Sequence, residues 1–405
     1  MTVPKGFRGG TDRTVSPGET VDRVRPFMPA MGITRIANIT GLDCIGIPVV
    51  MVCRPNSRSL AVSQGKGLDL DAARASGLME SVESYHAERI HQPLKRASFE
   101  DLRYTHRVVD VEALPRMRSS RFHRDLAILW IAGRDLLADT SAWLPFELTH
   151  TNYTHPALDG EGCFLCSSNG LASGNHVLEA ISHAICEVVE RDASALWDLD
   201  GPAACAARRI DLGTVDDPAC TTVLELYDRA GVDVAVWDIT SDVGIPAFLA
   251  QIVDRVEDPA RALYACAGMG CHPTRRIALL RALTEAAQGR LTAIAGSRDD
   301  LPRAEYERTR SIDAVQEYRS QTQGQGTRDF RSVPNHESET FDEDVAWELE
   351  RLTAAGIREV VALDLTRTEF GIPVVRVVIP GLEGARMHPN YVAGPRARSR
   401  TRVAG

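Results

Sequence analysis

A unit that occurs three times constrains this chain most: a glycine-rich stretch followed by a long helix. The copies read GKGLDLDAARASGLMESVESYHAER, GLASGNHVLEAISHAICEVVER and GMGCHPTRRIALLRALTEAAQGR. Apolar residues recur in each at every third or fourth position, which predicts a largely buried amphipathic helix. The three predicted helices end near residues 91, 199 and 297.

A second phrase also recurs three times and predicts strands. It reads CIGIPVVMVCRP at 44–55, VGIPAFLAQIVD at 243–254 and FGIPVVRVVIPG at 370–381. The glycine permits a tight turn, the proline suits a strand entrance, and the β-branched run favours a sheet. Further strands are predicted at 34–40, 125–137, 234–238, 262–267 and 359–364. Because strands and helices are interleaved, we predict a mixed α/β (α+β) fold of pseudo-repeated strand, glycine-turn and helix units.

The polar residues that interrupt the apolar pattern share one spacing in all three helices. They stand at i, i+4 and i+7, which lie on one stripe of a helix. The sets are Ser76, Glu80 and Glu83; His183, Glu187 and Glu190; and Arg281, Glu285 and Gln288. One such pair of glutamates would be typical of a solvated helix face. Three copies in apolar surroundings predict a cation opposite them, because buried carboxylates without partners are costly.

These residue types predict that the cation is Mg²⁺ bound together with the phosphates of a nucleotide. Mg²⁺ takes oxygen ligands and commonly bridges carboxylates to phosphates. Cationic partners for phosphate are available in Lys66, within SQGKG, and in Arg191, Arg281 and Arg290. The sequence has neither a Walker A loop nor a G-x-G-x-x-G fingerprint, so the predicted nucleotide site is an uncommon one.

Composition argues against several other classes of function. The formal net charge of −9 does not favour general nucleic-acid binding. No apolar run approaches the roughly 20 residues of a membrane span, and the N-terminus lacks a secretory h-region, so we predict a cytoplasmic protein without membrane contact. The nine cysteines have no disulfide-like spacing, and the role of the single C-x-x-C, at Cys163 and Cys166, stays open.

Three linked motifs resemble the YcaO family. Its helices carry S-x-x-x-E-x-x-E, then E-x-x-E-R, then a Glu with Q-x-R, and the resemblance runs from about residue 30 to 385. It also includes SQGKG, NGLASG, ERDA and PGLE. The resemblance implies an unusual ATP-binding fold in which Mg²⁺ lies between carboxylates and phosphates. The implied ATP-binding residues are Lys66, Ser76, Arg191, Arg281, Gln288 and Arg290, and the implied Mg²⁺ ligands are Glu80, Glu83, Glu187, Glu190 and Glu285.

The resemblance also implies an activity, the activation of a peptide or protein backbone amide by ATP. A nucleophile adds to the carbonyl, the oxyanion is phosphorylated, and loss of phosphate exchanges oxygen for sulfur or nitrogen. A stand-alone chain of this kind resembles members that work with a separate TfuA protein in thioamidation with external sulfide. A homodimer is a further expectation from the family, and no individual catalytic residue is assigned.

Two departures from the family pattern leave alternatives open. Ala180 stands where the family often has Ser, and the chain ends in TRVAG instead of the Pro-rich end of many azoline-forming members. The alternatives are an azoline or macroamidine cyclodehydratase in the maturation of ribosomal peptide natural products, and a non-catalytic nucleotide-binding scaffold. A metal-storage or zinc protein is the most distant, because clustered His and Cys are lacking.

The predicted organisation has three parts. Residues 1–30 form an N-terminal segment, 31–390 a YcaO domain, and 391–405 a flexible basic tail. Within the domain, the polar stretch at about 298–342 is predicted to be an exposed insertion or lid.

Overall fold

A computed structural model describes residues 2–158, 160–255, 265–301, 303–309, 311–384 and 388–403. The strands within these ranges are β1 Arg35–Asn38, β2 Val49–Cys53, β3 Val62–Lys66, β4 Leu94–Ala97, β5 Ile128–Asp135, β6 Thr140–Pro145, β7 Leu171–Ser173, β8 Ile210–Asp211, β9 Val232–Asp238, β10 Ala247–Asp254, β11 Cys266–Cys271, β12 Arg328–Asp329, β13 Val361–Asp364 and β14 Val374–Val378. The helices are α1 Pro17–Val24, α2 Leu70–Ala87, α3 Phe99–Leu102, α4 Val177–Trp197, α5 Pro202–Ala207, α6 Pro218–Arg229, α7 Arg275–Ala295, α8 Arg303–Thr309, α9 Ile312–Thr322, α10 Phe341–Ala354 and α11 Pro395–Val403.

Each repeated GIP phrase forms the central strand of three antiparallel strands. β2 lies between β1 and β3, β10 between β9 and β11, and β14 between β13 and β7. The third group continues through β5 to β4 and β6, which makes a six-stranded sheet. The predicted repeat is therefore present in three dimensions, and the mixed α/β class is confirmed.

The turn before each central strand follows the predicted chemistry. Its glycine has a positive φ of 84°, 78° or 61°, at Gly46, Gly244 and Gly371. The proline of each phrase stands directly before the first residue of the strand. Glycine adopts this backbone region without a Cβ penalty, and a proline at the strand entrance leaves the ladder hydrogen bonds intact.

The three long helices pack on the strands that precede them: α2 on β3, α4 on β7 and α7 on β11. α2 begins after Asp69, whose side chain accepts a hydrogen bond from the Ala72 N–H. α7 ends at Ala295 and is capped by Gly296, which takes the left-handed conformation with φ 57°. Both ends follow ordinary capping rules, so local sequence sets the limits of these helices.

The glycine-rich stretches are not simply turns, as the sequence suggested, because each of the three includes residues of a strand: β3, β7 and β11. A Cβ on Gly65 would lie 2.1 Å from the backbone nitrogen of Gly77 in α2. A Cβ on Gly270 would lie 2.2 Å from the carbonyl oxygen of Ala278 in α7. These glycines therefore let strand and helix meet backbone to backbone.

Some predicted segments have a more detailed structure than the sequence indicated. The predicted strand at 262–267 overlaps β11 at its last two residues, and 262–264 lie outside the described residues. The polar stretch at 298–342 holds α8, α9 and β12, and Val315 of α9 packs on Val253 of β10. It is thus partly packed on the sheet, and its action as a lid stays a prediction.

The two predicted terminal segments also contain helices. α1 packs against α2, and Thr14 before it donates hydrogen bonds to Glu179 of α4 through its N–H and Oγ, both at 2.9 Å. At the other end, Arg396 of α11 pairs with Asp192 at 2.9 Å. The flexibility of the basic tail and the domain limits at 30 and 390 stay predictions. Within the described residues, no helix is both long and apolar enough to cross a membrane.

Candidate active site

The α2 carboxylates stand beside strand β7. Glu83 accepts hydrogen bonds from the Ser173 N–H at 2.8 Å and the Ser173 hydroxyl at 2.7 Å. Burial raises the pKa of Glu83 to about 8; the Ser173 bonds oppose this shift, and the charges of Glu80 and Glu187 add to it. Burial also raises the pKa of Glu80. Ser76 lies half-buried one turn earlier on the same helix.

The α4 carboxylates face the same problem of burial. Burial raises the pKa of Glu187 to about 7, and the positive charge of Arg191 opposes this shift. Glu190 is 3% exposed, and burial raises its pKa too, although Arg191 Nη1 lies 3.1 Å from its Oε1. Burial thus disfavours the charged form of both side chains, and a pKa of about 7 leaves Glu187 partly protonated near neutral pH.

The polar residues of α7, namely Arg281, Glu285 and Gln288, contact both α4 and β3. Arg281 Nη2 lies 2.9 Å from His183 Nε2, which joins α7 to α4. Lys66 Nζ lies 2.7 Å from Glu285 Oε2. Burial favours a higher pKa for Glu285, but the charges of Lys66 and Arg191 outweigh it and the net shift is downward. Gln288 Nε2 donates to the Gln64 carbonyl at 3.1 Å.

The three rows converge in one place, here called the carboxylate site: Glu80, Glu83, Glu187, Glu190 and Glu285. The charge of Glu285 reaches both Glu80 and Glu190, and the charge of Glu187 reaches Glu83. Lys66 acts on carboxylates of all three helices. The structure therefore brings together the residues that the sequence predicted from three separate helices.

Arg290 is the predicted site residue that lies apart from this group. It is five residues beyond Glu285, which places it about 140° away around α7. Its guanidinium is 2.9 Å from Asp43 and 2.8 Å from Asp254, and the residue is 6% exposed. This geometry favours a structural ion pair for Arg290, and its contact with ATP stays a prediction.

The carboxylate site fits Mg²⁺ shared with a phosphate better than a preformed metal cage. Over the described ranges, no three His, Cys, Asp or Glu side chains are close enough to hold a metal ion by themselves. Oxygen donors with raised pKa values mark a site that lacks positive charge, and Mg²⁺ held jointly with phosphate oxygens would supply it. Lys66, Arg281 and Arg191 stand where they could contact the phosphates.

Sequence reasoning missed three residues near the site. Ser173 belongs to the NGLASG phrase, whose contact with Glu83 no local pattern reveals. Arg298 follows α7, and its charge opposes the pKa increase of Glu80. Arg376 is the one charged residue within the apolar strand β14, and that break in the pattern was a signal available in the sequence.

The structure also bears on the residues left open by the sequence. Ala180 is completely buried in an apolar cluster on α4. Burial raises the pKa of both Cys163 and Cys166, the latter to about 12. The Cys166 thiol donates to the His150 carbonyl at 3.3 Å. Burial therefore favours the neutral thiol at both positions.

Comparisons with known proteins identify the family. A family profile described as YcaO cyclodehydratase, ATP- and Mg²⁺-binding, matches residues 64–383. The chain belongs to the YcaO family. It is thus a member of an ATP-dependent enzyme family, and the predicted cofactors, ATP and Mg²⁺, are confirmed at that level.

Relatives of similar length extend this result. A Rhizobium leguminosarum bv. trifolii protein described as lying in the tfuA 3′ region is 39% identical over 92% of this chain and 89% of its own. A Methanothermobacter thermautotrophicus protein is 36% identical over 96% of this chain and 99% of its own. Both cover nearly the whole chain, so the similarity is not confined to the ATP-binding motifs.

Solved structures agree with the fold. The YcaO protein from Methanopyrus kandleri, bound with AMPPCP and Mg²⁺, superposes with a TM-score of 0.76 at 22% identity, covering 97% of this chain and 98% of that one. A heterocyclase in complex with substrate and cofactor gives a TM-score of 0.75 at 26% identity. The match covers 95% of this chain but 54% of the heterocyclase, so this chain spans about half of that protein's length.

Proposed function

We propose that this YcaO protein uses ATP to convert a backbone amide of a peptide or protein into a thioamide, with external sulfide as the nucleophile and a TfuA-like protein as partner. The observation that carries the ATP-dependent part is the convergence of the carboxylate site with Lys66, Arg191 and Arg281. Such a site suits a phosphoryl transfer, in which catalysis consists mainly of positioning and charge stabilisation.

The proposed reaction balances without a further oxidant or reductant. Sulfide adds to the amide carbon, and the resulting oxyanion attacks the γ-phosphorus of ATP, which releases ADP. The phosphorylated oxygen then leaves as inorganic phosphate while the C=S bond forms. Lys66 and Arg281 are proposed to hold the phosphates, and Mg²⁺, when bound by the carboxylate site, supplies charge neutralisation.

The proposal that sulfide is the nucleophile is supported by a relative of this chain, whereas the proposal of ATP binding is supported by the geometry of the site. The relative in the tfuA 3′ region is 39% identical and similar in length. This similarity favours an external nucleophile and a TfuA-like partner over cyclisation by the substrate itself.

The test measures phosphate release from ATP by the purified protein with Mg²⁺, sulfide, a TfuA partner and candidate peptides, followed by the peptide mass. Glu80→Gln and Glu187→Gln keep side-chain size but remove the charge that holds Mg²⁺, so both should abolish turnover. Glu350→Gln, exposed on α10, is the matched control and should keep it. A sulfide-dependent mass gain equal to the replacement of oxygen by sulfur would support thioamidation.

The alternative within the family is azoline or macroamidine formation. The family description as cyclodehydratase and the similarity to a heterocyclase favour this candidate. Loss of water from the peptide, without any need for sulfide, would replace the thioamide proposal with it. ATP binding without turnover under every condition would instead support the non-catalytic scaffold. A cytoplasmic location and a homodimer remain part of the proposal.

A further inference from the structure

A buried arginine near the carboxylate site has no counterion in the part of the chain that the structure describes. Arg376 on β14 is 2% exposed. Its Nη2 donates to the Ser167 carbonyl at 2.5 Å, while Nε and Nη1 have no hydrogen-bond partner among the described residues. None of the carboxylates that the structure describes lies within ion-pair distance of it. A buried guanidinium in this state is costly, because its N–H groups have lost water without replacement.

Two other buried arginines of this chain, Arg54 and Arg290, do have carboxylate partners. Arg54 is equally buried, and both of its terminal nitrogens donate to Glu88, with Nη1 2.8 Å from Oε2. Arg290 has Asp43 and Asp254 as partners. The missing partner of Arg376 is therefore specific to its position and not a general feature of how the chain buries arginine.

The position of Arg376 connects it with the carboxylate site. The charges of Arg376 and Glu187 act on each other's pKa. Along the sheet, Arg376 pairs with Leu171 of β7, two residues before Ser173, which binds Glu83. Arg376 thus lies close enough to Glu187 for their charges to interact, and its Nη2 contacts the Ser167 carbonyl.

The surroundings limit what could satisfy Arg376. Cys166, whose charge state also responds to Arg376, is a neutral thiol. Val374 and Val378 on the same strand face are buried and apolar. One guanidinium balances one negative charge, whereas a phosphate dianion would need more cations. The other cations of the site are Lys66 on β3, Arg191 on α4, which pairs with Glu190, and Arg281 on α7.

We infer that Arg376 binds the anionic nucleophile of the reaction, a hydrosulfide ion, beside the carboxylate site. This inference rests on the proposed thioamidation. The Nε–H and Nη1–H groups donate to the sulfur and keep it as the monoanion next to the amide carbonyl that it attacks. Cys166 contributes a neutral thiol to the wall and forms no covalent bond to the incoming sulfur.

The experiment measures binding and kinetics on the full chain. Sodium hydrosulfide and inorganic phosphate are titrated separately by calorimetry into the protein loaded with Mg²⁺ and AMPPCP. The variants are Arg376→Met, Arg376→Lys, and the exposed Arg134→Met as a control. We expect Arg376→Met to weaken hydrosulfide binding and raise the half-saturating sulfide concentration by roughly tenfold or more, with AMPPCP affinity unchanged.

A stability measurement separates this role from a structural one. Arg376→Met should leave Tm unchanged or higher, because it removes an uncompensated buried charge. Arg54→Met should lower Tm, because it leaves Glu88 buried and unpaired. Should Arg376→Met fail to fold, Arg376→Lys decides, since a single ammonium offers fewer fixed donors and should bind hydrosulfide more weakly than wild type.

Each outcome has a defined meaning. Hydrosulfide affinity equal to wild type in both Arg376 variants would overturn the inference. A loss confined to phosphate binding would also overturn it and would assign Arg376 to the transferred phosphoryl group. If hydrosulfide binding depends on Arg376 but no thioamide forms with any peptide, the anion site stands while the proposed reaction fails.

Discussion

The raised pKa of Glu83 makes a quantitative prediction about the stability of the empty protein. The folded pKa is about 8 against a usual value of 4.5, so the folded chain holds the proton more tightly than the unfolded chain. The contribution of this group to stability is therefore fully present below about pH 4.5 and is lost as the pH rises toward 8. Glutamine does not titrate, so Glu83→Gln removes this pH-dependent decrease in stability. Its amide oxygen can still accept the Ser173 hydrogen bonds.

The expected magnitude follows from proton linkage. Each pKa unit corresponds to about 1.4 kcal/mol, and with these two pKa values the wild type loses about 2 kcal/mol of unfolding free energy from this group between about pH 6 and pH 8. The variant should therefore gain about 2 kcal/mol relative to wild type over the same interval. It should also lose ATP turnover, because glutamine has no charge at this proposed Mg²⁺ ligand.

Urea denaturation at pH 6 and pH 8, without nucleotide, measures this difference. Glu225→Gln, exposed on α6, serves as the matched control and should run parallel to wild type at both pH values. Adding Mg²⁺ and AMPPCP should stabilise the wild type more at pH 8 than at pH 6, since binding requires the deprotonated carboxylate. Identical pH dependence in Glu83→Gln and wild type would refute the argument that Glu83 is buried at a cost.

Three further predictions concern ATP binding and packing. Lys66→Met removes the cation 2.7 Å from Glu285 and should raise the KM for ATP by about tenfold or more; unchanged ATP kinetics would exclude Lys66 as a phosphate ligand. Gly270→Ala should destabilise the fold by about 3 kcal/mol or more in urea denaturation because its Cβ meets the backbone of α7 at 2.2 Å, whereas Gly289→Ala, with 3.5 Å to its nearest neighbour, should be neutral or stabilising by about 0.5–1 kcal/mol. Ala180→Ser should cost about 1 kcal/mol of stability and leave ATP affinity unchanged, because the position is fully buried; a gain in affinity would show that the hydroxyl reaches the nucleotide.

Local patterns were sufficient to predict much of the site. The i, i+4, i+7 spacing identified all five members of the carboxylate site, since residues at those offsets share a stripe on any α-helix. The turn glycine and strand-entrance proline likewise predicted β2, β10 and β14. Both signals depend on backbone geometry within about ten residues, which a sequence displays directly.

The glycine-rich strands were harder to predict from the sequence. β3 and β11 carry small or polar residues where a typical strand has β-branched ones, because α2 and α7 press against their backbones. That requirement comes from the partner helix and not from the strand itself. Propensity therefore favoured turns where packing demanded strands.

The sequence by itself determined that three helices each carry a polar stripe, and the motif order determined the family. Only the tertiary structure decided which groups meet: Lys66 with Glu285, 219 residues apart, and Ser173 with Glu83, 90 residues apart. It also decided that Arg290 pairs with Asp43 and Asp254, while Arg376 has no carboxylate partner among the residues that the structure describes. The physical reason is that helix periodicity is local, whereas charge pairing and burial depend on how three strand groups pack their helices together.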